Sequence, residues 1–228
     1  MRRLLALVAL AALAGCGSSN DKKTTSTQSG AAAPKSTRSG CRAVAAPKPK
    51  PDGELDRPPL KIDRSGRWTA TLQTNCGTIR ISLDVRDQPK TVASFVYLAR
   101  RGFFDNLTFH RIAQQPDGSD FVVQGGDPTG TGQGGPGYSV TERPPSDAQY
   151  TRGTVAMAKT EVEAPGTSGS QFFIVTADDA GLPPDYAILG HVVGDDSAVR
   201  KMAAVPTDPR TARPRTPVVM QRVTVSRG

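Results

Sequence analysis

The sequence predicts a mainly β protein built as a closed antiparallel barrel. Two segments, residues 68–74 and 78–83, alternate apolar and polar side chains around Asn75-Cys76-Gly77, which is the pattern of a β-hairpin. Six more short apolar segments are separated by loops rich in Gly and Pro, and only two segments have a helical pattern. A βαβ fold needs a helix between successive strands, so this arrangement favours a barrel.

The elements follow in a simple order. A helix is predicted from Pro89 to Gly102, because proline favours the first turn of a helix and glycine its end. A second helix is predicted over residues 196–204. The six strands after the hairpin are predicted at residues 108–112, 121–124, 154–158, 172–176, 188–193 and 217–225.

The first residues have the layout of a secretory signal. Residues 1–15 contain two arginines, an apolar stretch too short to span a bilayer, and Leu-Ala-Gly directly before Cys16. This resembles a bacterial lipoprotein signal peptide, in which Cys16 would become the lipidated first residue of the mature protein. An ordinary signal peptide with an incidental cysteine is the alternative.

Residues 16–60 are predicted to be a flexible tether. They are rich in Ser, Thr, Ala, Lys and Pro, and they contain too little apolar surface to offset the entropy of ordering. Residues 61–228 would then form one domain on the extracytoplasmic side of the bacterial cell membrane, held there by the lipid anchor.

The charge and the cysteines fit an exported protein. The net charge is +8, but the basic residues are spread along the chain and are not interleaved with stacking aromatics, so we expect no nucleic-acid partner. Attraction to anionic lipids or a merely solvated surface both remain open. Cys41 and Cys76 could form a disulfide in an oxidising compartment or remain two free thiols. No metal site is expected, because there is no Cys-x-x-Cys pair and the two histidines are distant.

Three blocks surround a few polar side chains with apolar ones. They are Phe109-His110-Arg111-Ile112, the segment of residues 121–127, and the segment of residues 169–174. Such a composition is typical of a preformed apolar pocket with few polar groups. It suits a substrate that is neither charged nor redox-active.

In this order, the blocks resemble the cyclophilin family of peptidyl-prolyl cis-trans isomerases, over about residues 67–228. The glycine-rich segments at residues 126–132 and 135–138 resemble the bacterial branch of that family. The resemblance implies an eight-stranded barrel with a helix at each end and no cofactor. It also implies a monomer that binds proline-containing peptides and, in an exported protein, unfolded exported proteins.

The resemblance also assigns roles to residues. Arg111 stands at the position of the catalytic arginine, and Gln124 could hold its guanidinium while another N–H reaches the substrate. For the phenylalanines of the proline socket, a place in the barrel core is the alternative. The implied binding residues are Phe121, Val122, Phe173 and Leu182 in the socket, Gln124 and Gln171 on the substrate backbone, and Ala158 and Lys159 at the groove edge.

Other functions fit the motifs less well. A general-base role for His110 is not supported, because no nucleophile motif such as Gly-x-Ser-x-Gly accompanies it. In an ideal strand its side chain points opposite that of Arg111, so we interpret it as a buried structural histidine. The glycine-rich loop lacks the Gly-Lys-Ser/Thr ending of a phosphate-binding loop. A chaperone or envelope adaptor that binds proline-containing segments with little turnover remains the alternative to an isomerase.

Two features depart from the family. Residues 113–120 form a longer segment than in compact cyclophilins, which leaves the direction of Phe121 open. Gly181 falls where a tryptophan important for cyclosporin binding usually stands, and Tyr186 falls where a pocket histidine does. We therefore expect weak cyclosporin binding, with Tyr186 retaining a hydrogen-bonding group on a larger apolar body.

Overall fold

Eight strands form the closed antiparallel barrel in the computed structural model, which describes residues 39–228. The expected signal peptide of residues 1–15, Cys16 and the first part of the expected tether lie outside these residues. The strands of these residues are β1 (Trp68–Thr74), β2 (Gly77–Leu83), β3 (Leu107–Gln114), β4 (Asp120–Gly125), β5 (Val140–Thr141), β6 (Thr154–Met157), β7 (Thr167–Ser168), β8 (Phe172–Val175), β9 (Ile188–Val192) and β10 (Val219–Arg227), of which β5 and β7 form a separate two-stranded sheet.

The barrel closes in the order β1-β10-β3-β4-β8-β6-β9-β2, and every neighbouring pair is antiparallel. All eight barrel strands were predicted, so the fold class is confirmed. The two-residue strands β5 and β7, which pair with each other, were not predicted. They are too short to show an alternating pattern in the sequence.

Two helices accompany the barrel. Helix α1 (Pro89–Arg100) begins at the predicted proline, and the side chain of Glu142 accepts hydrogen bonds from the backbone N–H groups of Lys90 and Thr91 in its first turn. Beyond its end, Gly102 has a φ of 65°, a conformation that glycine adopts at little cost. Helix α2 (Ser197–Ala203) occupies most of the second predicted helix.

Apolar side chains form two separate clusters. The larger one fills the barrel interior and includes Phe109 and Phe172. The smaller one contains Val122 and Phe173, with Phe121 packed at its side. Because side chains alternate along a strand, neighbouring phenylalanines of β8 belong to different clusters. Phe173 therefore lies outside the main core, which answers the question that the sequence left open for it.

The segment before the barrel is held against it at several points. A disulfide joins Cys41 to Cys76, whose side chains are both buried. Further along, the backbone N–H of Lys50 donates to the Pro128 carbonyl over 2.8 Å, and the backbone N–H of Leu55 donates to the Pro136 carbonyl over 3.0 Å. We call residues 50–55 the strap.

The strap differs from the free tether expected for residues 16–60. The backbone N–H groups of Lys50 and Leu55 find acceptors in the glycine-rich loop after β4, and Leu55 packs against the main core. The Lys50 ammonium also donates to the carbonyls of Gly102 and Phe103, just beyond the end of α1. Composition predicts flexibility only when the segment has no such partners.

Over residues 39–228, the structure contains no helix with the length and apolar character needed to cross a bilayer.

Candidate active site

The barrel register brings three of the predicted site residues side by side. Arg111 on β3 pairs with Gln124 on β4, and Gln124 pairs in turn with Phe173 on β8. Arg111 and Phe173 are 62 positions apart in the sequence. Adjacent strands of a sheet lie only about 4.8 Å apart, so pairing brings the three residues close together in space. The central polar and apolar groups of the candidate site are therefore carried by three neighbouring strands.

A chain of side-chain amides fixes the guanidinium of Arg111. The Gln171 amide nitrogen donates to the carbonyls of Gly132 and Gly134, over 3.1 and 2.9 Å. Its amide oxygen accepts from the Gln124 nitrogen over 3.1 Å, and the Gln124 oxygen accepts from Arg111 over 3.2 Å. Because backbone carbonyls can only accept, they set the orientation of both amides. The Gln124 oxygen is thereby directed at Arg111.

Arg111 is half-buried, with other N–H groups beyond the one held by Gln124. Burial lowers its pKa from the ordinary arginine value, and the nearby Tyr186 opposes this shift. An arginine nevertheless stays protonated in proteins. The site therefore contains a fixed cationic donor in surroundings where hydrogen bonds are stronger than in water.

An apolar surface lies beside this polar network. Phe173 and Val122 are buried in the smaller cluster, while Phe121, Leu182 and Ala158 are partly buried at its edge. The predicted socket residues thus share one cluster outside the barrel interior. Phe121 is also fixed by its backbone, because its carbonyl accepts from the N–H groups of Thr176 and Ala177.

The longer segment before Phe121 is a hairpin. Strand β3 extends to Gln114, and the backbone N–H of Gln115 donates to the Ser119 carbonyl over 2.9 Å. Gly118 has a φ of 85°, which a glycine adopts easily. The extra residues therefore lengthen the connection between two strands and leave the register of Gln124 opposite Arg111 intact.

Tyr186 packs edge-on against Phe173, with ring centroids 5.5 Å apart. Tyr150 fixes its backbone, because the Tyr150 hydroxyl donates to the Tyr186 carbonyl over 2.7 Å and accepts from its N–H over 3.0 Å. Burial raises the pKa of Tyr150 to about 12, so its hydroxyl stays protonated as this donor. Sequence reasoning missed Tyr150, which lies in an irregular loop with no periodic pattern.

Lys159 lies at the edge of the apolar surface. Its ammonium is 5.5 Å from the centroid of the Tyr186 ring, a distance suitable for a cation–π contact. It also donates to the carbonyls of Thr160 and Glu163. Lys159 therefore holds its own loop as well as bordering the site.

His110 is buried, as the strand pattern indicated, and lies at a register shift of β3. Burial lowers its pKa, while the carboxylate of Asp127 acts in the opposite direction. Its Nδ1 atom has no hydrogen-bond partner among the described protein groups. The side chain next to Arg111 is therefore a neutral, enclosed imidazole at neutral pH.

Asp127 organises the glycine-rich loop that follows β4. Its carboxylate accepts from the backbone N–H groups of Thr129 and Gly132 and from the Thr129 hydroxyl. Burial would raise the pKa of Asp127, but the hydrogen bonds outweigh burial and lower it. The loop is thus fixed around a buried charge, and it presents the carbonyls that hold Gln171.

A cavity of about 350 Å³ adjoins the amide network. Its walls include Gln124 and Gln171 on one side, residues 132–139 on another, and Asp52 with Gly53 from the strap. Arg111 and Phe173 do not line it, so it is a second depression next to the apolar surface. The contribution of the strap could not be predicted, because nothing in the sequence of residues 50–55 indicates a site.

Within residues 39–228, no three His, Cys, Asp or Glu side chains are grouped so that they could hold a metal ion.

Comparison with known proteins gives a consistent result. A family model described as cyclophilin type peptidyl-prolyl cis-trans isomerase matches residues 69–225. The chain is 39% identical over 176 residues to peptidyl-prolyl cis-trans isomerase A of Mycobacterium tuberculosis, covering 69% of this chain and 92% of that protein. It is 38% identical over 174 residues to isomerase B of Streptomyces anulatus, covering 68% and 95% respectively.

A solved structure shows the same fold. It is a cyclophilin type peptidyl-prolyl cis-trans isomerase of Cryptosporidium parvum, crystallised in the presence of the dipeptide Ala-Pro. The TM-score is 0.62 at 28% sequence identity, and the match covers 69% of this chain and 98% of that one. The family model matches the barrel region and leaves the whole strap, with the residues before it, outside.

Proposed function

Because this chain belongs to the cyclophilin family and is a peptidyl-prolyl cis-trans isomerase, we propose that it acts on exported proteins, with Arg111 as its catalytic donor. The observation that carries the assignment of Arg111 is the amide network, which directs a half-buried guanidinium beside the apolar surface around Phe173. Proline-containing peptides and unfolded exported proteins are its substrates in this proposal.

The reaction requires selective binding of a twisted amide. Rotation about an X-Pro bond breaks amide resonance against a barrier of roughly 18–20 kcal/mol, and it needs no nucleophile. The twisted proline nitrogen regains a lone pair that either planar isomer lacks. A donor fixed at that nitrogen therefore stabilises the transition state more than the ground state, which is the condition for catalysis.

Arg111 suits this role for two reasons. Its guanidinium offers several N–H groups in a rigid fork, so Gln124 can hold one of them while another faces the substrate. The fixed position avoids reorganisation at the moment of reaction. The second N–H of Gln124 and the second lone pair of the Gln171 oxygen would bind the substrate backbone in the same region.

The proline ring would lie on the apolar surface. Phe121, Val122, Phe173 and Leu182 supply that surface, and they belong to one cluster. Ala158 and Lys159 would form the edge of the groove, and Tyr186 would take the place of the family's pocket histidine. A ring without polar atoms gains most from such surroundings.

The test is the cis-to-trans rate of a proline-containing model peptide with the domain of residues 39–228 and its Arg111→Ala variant. Removing one such donor should lower kcat about 100- to 1,000-fold. Arg222→Ala is the matched control, because Arg222 is exposed on β10. Peptide binding without turnover in the wild type would favour a binding module instead. Full turnover in Arg111→Ala would exclude Arg111 as the donor.

The proposed location is the extracytoplasmic face of a bacterial cell membrane, with Cys16 as the lipidated residue. The lipoprotein-like signal of residues 1–15 supports this, and so does the Cys41–Cys76 disulfide, since disulfides persist mainly in oxidising compartments. Mass spectrometry of the mature N-terminus should find a diacylated or triacylated Cys16. Release of the Cys16→Ser variant into the soluble fraction would agree, whereas an unmodified Cys16 would contradict the anchor.

A further inference from the structure

The strap crosses the glycine-rich wall of the cavity beside Gln171. The Asp52 carboxylate accepts from the backbone N–H of Gly135 over 2.8 Å and from that of Gly53 over 2.9 Å. The backbone N–H of Leu55 also donates to the Pro136 carbonyl of this wall, while that of Lys50 donates to Pro128, earlier in the same loop. Two hydrogen bonds, at Gly135 and Pro136, therefore attach the wall to the strap.

The contact at Gly53 is unusually close. A Cβ atom on Gly53 would lie 1.9 Å from the backbone nitrogen of Gly137 and 2.1 Å from the carbonyl carbon of Pro136. Only a residue without a side chain fits there, because both neighbours are backbone atoms that cannot rotate away. The seating of the strap on this wall therefore depends on the glycine.

The wall that the strap holds also holds the substrate-binding amides. The carbonyls of Gly132 and Gly134 accept from the Gln171 side chain, and Gly135 is the next residue. A shift of the wall would remove acceptors from Gln171 and so disturb Gln124. Arg111 is joined to the wall only through Gln124, one hydrogen bond beyond it. A shift of the wall would therefore affect the amides of Gln124 and Gln171 before it affects Arg111.

We propose that Asp52 is a positioning residue for peptide binding, and that the strap forms one wall of a subsite for substrate residues outside the X-Pro bond. The inference rests on the proposed function, because it needs Gln124 and Gln171 to bind the substrate backbone. A peptide held there would enter the neighbouring 350 Å³ cavity, whose outer wall is Asp52 and Gly53. Asp52 and Gly53 both lie outside residues 69–225, the region that matches the family model.

The test measures kcat and KM separately for a proline-containing octapeptide, together with the thermal unfolding midpoint. Asp52→Ala and Gly53→Ala should raise KM about three- to tenfold, the equivalent of one ordinary hydrogen bond, while kcat changes less than twofold. Asp52→Asn should restore most of the binding, because an amide oxygen can still accept from Gly135. Asp56→Ala is the matched control, since Asp56 is exposed four residues further along.

The outcomes separate the two proposals. A wild-type KM in Asp52→Ala, or a rise in KM explained by a lower unfolding midpoint, would overturn the role of Asp52. Full turnover in Arg111→Ala would refute the catalytic assignment and leave the KM comparison valid. If the wild type binds the octapeptide without turnover, the dissociation constants measured by calorimetry take the place of KM, with the same expected ratios.

Discussion

Removing the disulfide between Cys41 and Cys76 should destabilise the domain strongly. The two cysteines are 35 residues apart, and they close a loop that contains the strap and β1. The chain-entropy model gives about 4 kcal/mol at 25 °C for a closed loop of this size, because the cross-link restricts the unfolded chain. We expect the Cys41→Ala/Cys76→Ala variant to lose most of that amount. Alanine is chosen because both side chains are buried and a serine hydroxyl there would need a partner.

The free energy of unfolding is measured by urea denaturation. In a separate thermal melt, the midpoint temperature of unfolding should fall by about 8 to 16 °C. The wild type under reducing conditions serves as the control, because it keeps both sulfur atoms and loses only the cross-link. The reasoning would be refuted if the double-alanine variant and the reduced wild type both had free energies of unfolding within about 1 kcal/mol of the oxidised wild type. The closed loop would then contribute little to stability.

Two more predictions concern the site. Cyclosporin should bind weakly, because Gly181 offers no side chain where the resemblance places a tryptophan, and Tyr186 stands where it places a histidine. Tight, saturable binding in a calorimetric titration would contradict this. Stability should fall as the pH drops below about 6.5, because burial lowers the pKa of His110, so the unfolded state takes up a proton before the folded state does. The slope of unfolding free energy against pH between 7 and 5 should be smaller in His110→Gln, and an equal slope in both proteins would show that other groups cause it.

Much of the barrel was predictable because its signals are local. The hairpin of β1 and β2 follows from alternating side chains around Asn75-Cys76-Gly77, and α1 begins and ends near the proline and glycine that favour those positions. The three blocks contain Arg111, Gln124 and Phe173, and the resemblance to the family supplied the positions outside them, such as Leu182 and Tyr186. Whether Phe173 lay in the barrel core or in the proline socket was open until its place in the smaller cluster was known.

The strap and Tyr150 could not be predicted in this way. The hydrogen bond from Gly135 to Asp52 joins residues 83 positions apart, and that between Tyr150 and Tyr186 joins residues 36 positions apart. Asp52 and Tyr150 lie in irregular segments. The composition of such segments predicts flexibility, and they have no periodic pattern from which to predict the direction of a side chain.

The sequence by itself determined the barrel elements, because strand alternation and turn residues are properties of neighbouring positions. The family and the candidate residues followed from the resemblance that the three blocks carry in their order. Only the tertiary structure decided that the amides of Gln124 and Gln171 align toward Arg111, and that the strap closes one wall of the adjoining cavity. Such contacts depend on where distant backbone carbonyls and N–H groups meet, and the closing of the barrel determines this.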